Sequence, residues 1–150
     1  VEEEDADEPM TGFAHQADIL TAALLGGVSR VEQMGTLAKK PFTTDWHNAL
    51  KLGFDPAREE YPTWLIDLLE EKHPNSSSWL PSPLRPGQAV GQPRGYFAEL
   101  FPSPQCVVTA ATTDSIAAFV ATTGALSELA PGDACTSLGS TLAIKMLSTE

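Results

Sequence analysis

The sequence is short of basic residues, and this shortage limits the ligands that the protein can bind. Nine Lys and Arg stand against 20 Asp and Glu in 150 residues, and the net charge is -11. Proteins that bind nucleic acid need clustered Lys and Arg to neutralise the phosphates. The sequence contains no such cluster, so we expect no nucleic-acid partner. A phosphorylated small molecule held by backbone N–H groups is compatible with this charge.

Long apolar runs, leader sequences and cysteines are also scarce. No apolar run reaches the roughly 20 residues that cross a bilayer, and the first residues are acidic instead of basic and then apolar. We therefore expect no membrane partner and an intracellular protein. Cys106 and Cys135 are the only cysteines. They are predicted to be buried free thiols, because nothing else indicates an oxidising compartment.

Several familiar site motifs are missing as well. The sequence contains no P-loop, no GxGxxG and no nucleophile elbow, which excludes a self-contained nucleotide site of those kinds. His15 with Asp18, and His47 with Asp45, have no third ligand at a metal-site spacing. We therefore predict no metal ligands, and structural or exposed positions for all three histidines.

The two ends of the sequence differ from its middle. Acidic residues crowd the first nine positions, and like charges at this density oppose compaction, so residues 1–12 are predicted to be a disordered tail. The chain opens with Val1 and ends at Glu150, directly after a strand-like run. We expect it to be a piece of a longer protein.

Helical patterns dominate the first half of the chain. Apolar residues three and four positions apart predict an amphipathic helix over residues 13–25. Asp55-Pro56 and Pro62 are typical starts of two further short helices, and Trp64 is predicted to pack beside the leucines of the second one.

Strand patterns appear later. Residues 74–95 are rich in Pro and Ser and predict an irregular connector. Residues 105–109 predict a short strand that turns into a helix at residues 112–114. Residues 134–138 and 141–147 predict two strands joined by a two-residue type II′ turn with Gly first. This mixture favours an α/β fold.

The first candidate for chemistry is Asp114. A carboxylate at the start of a helix lies near the positive end of the helix dipole and tends to stay ionised, and an ionised Asp can accept a proton. The alternative is that Thr112 or Thr113 caps the helix and Asp114 is only an acid in its first turn. Local pattern leaves both interpretations open and favours the second.

The second candidate is the turn at Gly139, Ser140 and Thr141. A glycine at the bend lets backbone N–H groups approach an anion, and the flanking hydroxyls add donors. Phosphate oxygens suit such a nest. The alternative is an ordinary hairpin whose glycine supplies a positive φ, and the local pattern alone favours it.

Taken together, these stretches resemble the FGGY carbohydrate kinases, most closely the ribulokinase or xylulokinase-like branch of plants and cyanobacteria. The resemblance rests on TTDSIAAF at residues 112–119, followed past Gly124-Ala125 by TSLGST at residues 136–141. Earlier stretches agree with it, namely HQAD at 15–18, NALKLGFDP at 48–56, LP at 80–81, PG at 86–87 and VG at 90–91. It covers roughly residue 13 to the C-terminus.

The resemblance implies a fragment of an actin-like sugar kinase, built from two ribonuclease H-like α/β domains. Residues 13–131 correspond to the C-terminal part of the sugar-binding N-domain. Residues 132–150 correspond to the first hairpin of the ATP-binding C-domain, which is truncated here. The family's N-terminal phosphate hairpin and its adenosine site fall outside these residues, so we expect the fragment alone to be inactive.

The function implied by the resemblance is ATP-dependent phosphorylation of a ketopentose such as D-ribulose or xylulose, with ATP and Mg²⁺ as cofactors, in the cytoplasm or the plastid stroma. The roles carried over are Asp114 as catalytic base, Thr113 and Ser115 as sugar contacts, and Gly139, Ser140 and Thr141 as contacts of the ATP phosphates. Phosphoryl transfer needs little more than alignment, charge neutralisation and a base.

A non-catalytic alternative comes from a departure from the family pattern. Ala111 stands where the family usually has Gly before Thr-Thr-Asp, and its Cβ crowds a place of close backbone approach. The chain would then be a truncated paralogue that binds a polyol or a partner without transferring phosphate. The length of the native chain separates the two hypotheses, since transfer needs two domains that close around the substrate.

Overall fold

The structure is a computed structural model that describes residues 12–26, 42–123, 129–139 and 142–148. The predicted acidic tail therefore lies outside the described residues, apart from Gly12. The chain forms two compact units, Val1–Thr112 and Thr113–Glu150. Helices and small sheets are mixed along the chain, which is compatible with the predicted α/β class. The ribonuclease H-like arrangement and the expected domain boundary at residue 131 stay predictions.

The first unit contains most of the secondary structure. Its helices are α1 (Gln16–Gly26), α2 (Trp46–Ala49), α3 (Thr63–Lys72) and α4 (Tyr96–Leu100), and its strands are β1 (Thr43–Asp45), β2 (Ser82–Leu84), β3 (Ala89–Gly91) and β4 (Val108–Thr109). Strands β1 and β2 pair in parallel, whereas β3 and β4 pair antiparallel. Leu50–Leu52 and Ser76–Trp79 form 3₁₀ turns.

Helix α1 confirms the first predicted helix but buries a different face. Its buried residues include Asp18 and Thr21, whereas Leu20, expected on the apolar face, is 66% exposed. The Asp18 carboxylate accepts a hydrogen bond from the His15 backbone N–H at 2.7 Å. This capping contact satisfies the carboxylate locally, so the polar face can turn inward.

The helix expected at Asp55-Pro56 is wrong, because the chain makes a tight turn there. The Asp55 carboxylate accepts from the backbone N–H groups of Ala57 and Arg58, and the backbones of Asp55 and Glu60 bond to each other in both directions. Glu59 has a left-handed φ of 56°, which no continuing α-helix allows.

The helix expected at Pro62 is confirmed, since Pro62 immediately precedes α3. A proline at this position costs little stability, because the first N–H groups of a helix have no hydrogen-bond partner within the helix. The predicted packing of Trp64 is wrong, because its side chain is 62% exposed.

The connector predicted over residues 74–95 contains β2 and β3, which is a further correction. Pro83 lies within β2, opposite Thr44 of β1. Proline has no N–H to donate, so it is tolerated only on an edge strand. Among the described residues β1 is the only neighbour of β2 in a two-stranded sheet, so β2 is such a strand there.

The apolar core of the first unit is small and partly aromatic. Ala49 and Phe54 are buried. The Phe54 ring meets Tyr61 edge-on at 5.4 Å between centroids and Trp46 at 6.3 Å. The Arg85 guanidinium lies over Trp46, 5.2 Å from the ring centroid. Such ring contacts add to the stabilisation that comes from buried area alone.

Asp45 anchors a buried polar network at the start of α2. Its side chain is 1% exposed and accepts hydrogen bonds from the Asn48 backbone N–H at 3.1 Å and from Asn48 Nδ2 at 2.6 Å. Lys51 Nζ donates to Asn48 Oδ1 at 2.8 Å. The buried carboxylate is therefore both a helix cap and the acceptor of a charge-assisted side-chain bond.

The described residues of the second unit form helix α5 (Asp114–Thr123) and a hairpin of β5 (Ala134–Leu138) and β6 (Leu142–Met146). Helix α5 follows β4 of the first unit in sequence, which confirms the predicted order of strand, turn and helix around residue 112, and the predicted hairpin is also confirmed. Leu138 pairs with Leu142, so three residues separate the paired strands and the predicted two-residue turn is wrong.

Neither cysteine forms a disulfide, and both are half-buried instead of fully buried. Cys135 lies in β5, while Cys106 lies in the irregular segment before β4. The prediction of free thiols is thus confirmed and their full burial is not.

None of the helices in the described part of the chain is long and apolar enough to span a bilayer.

Candidate functional site

The segment that leads to Asp114 is held firmly in the first unit. Ala110 N–H donates to the Gln88 carbonyl at 2.8 Å, and Gly87 N–H donates to the Ala110 carbonyl at 2.9 Å. His47 Nδ1 and Thr112 Oγ1 share a hydrogen bond of 2.8 Å. Backbone pairing and this side-chain contact together fix the chain up to Thr112, and His47 has the structural role that the sequence predicted.

Thr113 caps helix α5. Its carbonyl accepts from the backbone N–H groups of Ile116 at 3.1 Å and Ala117 at 2.9 Å, and its Oγ1 accepts from Ile116 N–H at 3.4 Å. Of the two threonines that could cap, the structure selects Thr113. A capping hydroxyl still carries its own hydrogen as a donor, so a sugar contact through Thr113 remains compatible with this geometry.

Asp114 is the first residue of α5, and its side chain is exposed. One carboxylate oxygen, Oδ1, accepts from Ser115 N–H at 2.7 Å. Within the described ranges no donor reaches the other oxygen. Asp114 therefore has one oxygen bonded to a backbone N–H and one oxygen open to a proton donor, which is compatible with a role as proton acceptor.

A pocket of about 640 Å³ opens beside Asp114 within the second unit. Helix α5 contributes Asp114, Ser115 and Phe119, and the hairpin contributes Ser137, Gly139 and Lys145. The volume lies within the range of roughly 300–1,000 Å³ that small-molecule sites span. The pocket can therefore hold a ligand of the size of a pentose or a polyphosphate group.

The structure brings together three of the six residues that sequence reasoning selected. Asp114, Ser115 and Gly139 line this pocket together, although the first two belong to α5 and Gly139 directly follows β5. Thr113 is the cap of α5 and does not line the pocket. Ser140 and Thr141 lie outside the described residues.

Among the described residues, Lys145 is the one basic residue of the pocket lining, and it was not among the predicted site residues. It pairs with Cys135 across the hairpin, and residues directly opposite each other in an antiparallel pair project from the same face. That face meets α5, since Thr122 Oγ1 and Cys135 Sγ lie 3.2 Å apart. Counting alternate residues from the correct strand pairing would have placed Lys145 there.

A second group of polar side chains lies in the first unit. His15 Nδ1 lies 3.1 Å from Asp18 Oδ2 and 3.2 Å from Thr44 Oγ1. Both contacts use the same ring nitrogen, so His15 cannot relay a proton between them as a catalytic triad does. We interpret this group as a structural link from α1 to β1.

Tyr61 belongs to the same interior. Burial, and secondarily the negative charge of Asp18, raise the pKa of Tyr61 well above its usual value. Its hydroxyl donates to the Pro81 carbonyl at 2.8 Å. The neutral phenol is thus the form that the fold stabilises.

The first unit also has an apolar groove of about 400 Å³. Leu20, Leu24, Phe101, Val107 and Ala111 line it, and no charged side chain of the described residues does. Ala111 has an ordinary backbone conformation, because Glu59 and Asn75 are the non-glycine residues with positive φ in the described ranges. The groove can bind apolar groups but offers no acid, base or ion.

No group of three His, Cys, Asp or Glu side chains that could hold a metal ion occurs in the ranges that the structure describes. Mg²⁺ suits such a site only as a complex with nucleotide phosphates, because it keeps several waters and needs only one or two carboxylates of the protein. Asp114 is the one carboxylate that the described residues contribute to the pocket lining, so Mg²⁺ would be held there mainly by the phosphates and water.

No family model matches this chain. The kinase resemblance thus depends on the motifs quoted above and stays a prediction.

Proposed function

We propose that this chain is part of an enzyme that transfers the γ-phosphoryl group of ATP to a hydroxyl of a sugar, a ketopentose such as ribulose or xylulose. The observation that carries the proposal is the shared pocket of Asp114 and Gly139. The two residues lie 25 positions apart in sequence, and the resemblance assigns them to the base and to the phosphate contact of one reaction.

Asp114 has the geometry of a general base for this transfer. Its free carboxylate oxygen accepts the proton of the sugar hydroxyl. The hydroxyl oxygen forms a bond to the γ-phosphorus while the bond from phosphorus to the bridging oxygen breaks, and that electron pair leaves with ADP. A positioned base of this kind contributes roughly 10²–10⁴-fold to a rate.

The surroundings of the pocket suit an anionic partner. The start of α5 directs the positive end of its dipole toward this side of the unit. Gly139 has no side chain, so a phosphate can approach its backbone closely. Mg²⁺ carried by the phosphates would supply further charge neutralisation.

The test is a substrate screen with the native full-length protein. We would incubate it with Mg²⁺, ATP and single ketopentoses, aldopentoses or polyols, and detect sugar phosphates by mass spectrometry alongside ADP. We expect at least one ketopentose to give sugar phosphate and ADP in equal amounts. A panel without any sugar phosphate, from protein that binds ATP, would reject the proposed transfer.

The alternative of a polyol- or partner-binding module is favoured by one residue, Ala111, which replaces the family's usual Gly and lines the apolar groove of the first unit. Calorimetry with the same polyols in the absence of ATP distinguishes it. Binding without turnover would support the alternative, whereas turnover excludes it.

A further inference from the structure

Lys145 has an unusual position for a charged residue of a hairpin. It is the single basic residue in residues 113–150. It is half-buried and lines the pocket of Asp114 and Gly139. The opposite face of the hairpin is apolar and open, with Leu138 83% exposed and Ile144 68% exposed.

This arrangement is the reverse of a solubilising surface. A lysine that serves only solubility lies on the face that meets water, and apolar residues lie on the covered face. Here the lysine lies on the covered face and large apolar side chains lie on the exposed one. A ligand bound in the pocket would explain why the charged side chain of Lys145 lies on the covered face.

The ammonium group is also available to a ligand. Within the described ranges Lys145 forms neither an ion pair nor a side-chain hydrogen bond, and in particular it does not pair with Asp114. An ammonium group without a protein partner can form charge-assisted hydrogen bonds to an anion that enters the pocket.

We propose that Lys145 binds the phosphates of the nucleotide, opposite the sugar hydroxyl that Asp114 deprotonates. This assignment rests on the proposed function. Lysine binds phosphate as a point charge with three donors. A positive charge on one wall and a carboxylate on another would orient the phosphates toward Lys145 and the reacting hydroxyl toward Asp114.

The test measures binding of inorganic tripolyphosphate to the native full-length protein by calorimetry. Lys145→Met removes the charge and keeps an unbranched apolar stem, Lys145→Arg keeps the charge, and Lys72→Met makes the same change at an exposed site outside the second unit. We expect roughly tenfold weaker binding for K145M, near-normal binding for K145R and no change for K72M. Circular dichroism spectra and melting temperatures verify that each variant is folded.

Salt dependence adds a readout that a purely structural lysine would not affect. Raising the ionic strength should weaken tripolyphosphate binding by the original protein more than by K145M, because part of the screened attraction is already absent in the variant. Equal affinities of the original protein and folded K145M, or no tripolyphosphate binding by the original protein, would overturn the assignment.

The two proposals fail separately. Lys145-dependent binding of tripolyphosphate without transfer to any sugar would reject the kinase function and leave an anion site. Transfer to a ketopentose that K145M performs with unchanged kcat and KM would reject the role of Lys145 and leave the function.

Discussion

Replacing Asp45 by Ala should destabilise the first unit strongly, because a single carboxylate serves two buried groups. Its oxygens accept from the backbone N–H and from Nδ2 of Asn48. The variant loses the helix cap, which is worth about 1 kcal/mol. It also leaves the Asn48 amide without its acceptor, which costs about 1–3 kcal/mol.

These two losses are partly offset, since the variant no longer keeps a carboxylate out of water. We therefore expect the free energy of unfolding to fall by about 2–3 kcal/mol. Asp45→Asn retains an oxygen that can cap α2, but it places an amide NH₂ next to the NH₂ of Asn48. The free energy of unfolding should therefore fall about half as much as in D45A.

Urea unfolding monitored by tryptophan fluorescence measures this change. All three tryptophans, Trp46, Trp64 and Trp79, lie in the first unit, so the signal reports on the unit that contains Asp45. Asp67→Ala is the matched control, because Asp67 is exposed on α3, and surface changes usually stay within about 0.5 kcal/mol. A loss for D45A no larger than that of D67A would refute the network's role.

Two further predictions concern the same unit. Because the pKa of Tyr61 is raised by burial and by Asp18, the native state holds the phenolic proton more tightly than the unfolded state, so stability should fall as the pH rises above about 10. The free energy of unfolding of Tyr61→Phe, measured over the same pH range, should not show this fall. If the original protein and the variant lose stability in parallel, Tyr61 is not the cause. Gly53 has a φ of 80° and Gly12 does not have a positive φ, so Gly53→Ala should lower the unfolding free energy by about 1–2 kcal/mol while Gly12→Ala leaves it almost unchanged. Equal midpoints for these two variants in urea would contradict that explanation.

Local patterns predicted the elements that local interactions determine. Helix α3 begins where Pro62 indicates, α5 begins directly after the Thr-Thr pair, and β5 and β6 follow the β-prone runs around Gly139. Caps, prolines and alternation act over a few residues, so they are readable in the sequence. Strands β1 and β2 pair although they are distant in sequence. No local sequence pattern predicts this pairing, because it depends on contacts between separate segments.

The burial of Asp18 and Asp45 could not be predicted from the sequence either. A carboxylate is usually exposed, and it becomes buried only when specific partners satisfy it. Those partners, His15 and Asn48, are near in sequence, but the packing that covers them comes from other elements.

Lys145 was missed for a geometric reason. A two-residue turn would set Leu138 opposite Thr141 and Lys145 opposite Ala134, on the open face of the hairpin. The observed pairing of Leu138 with Leu142 sets Lys145 opposite Cys135, on the pocket face. A change of one residue in register reverses the face of every side chain in a strand, so a two-residue turn would place Lys145 on the face away from the pocket.

The most direct test of the central claim compares Asp114→Asn with the original full-length protein in phosphoryl transfer from ATP to the best sugar of the screen. Asn keeps the size of the side chain and an oxygen for the Ser115 N–H, but it cannot take the proton. Asp133→Asn, at an exposed carboxylate that accepts from Ala130 N–H, is the control. We expect kcat to fall at least about 100-fold for D114N and to stay unchanged for D133N, with both variants folded. A kcat of D114N equal to that of the original protein would contradict the role of Asp114 as the base.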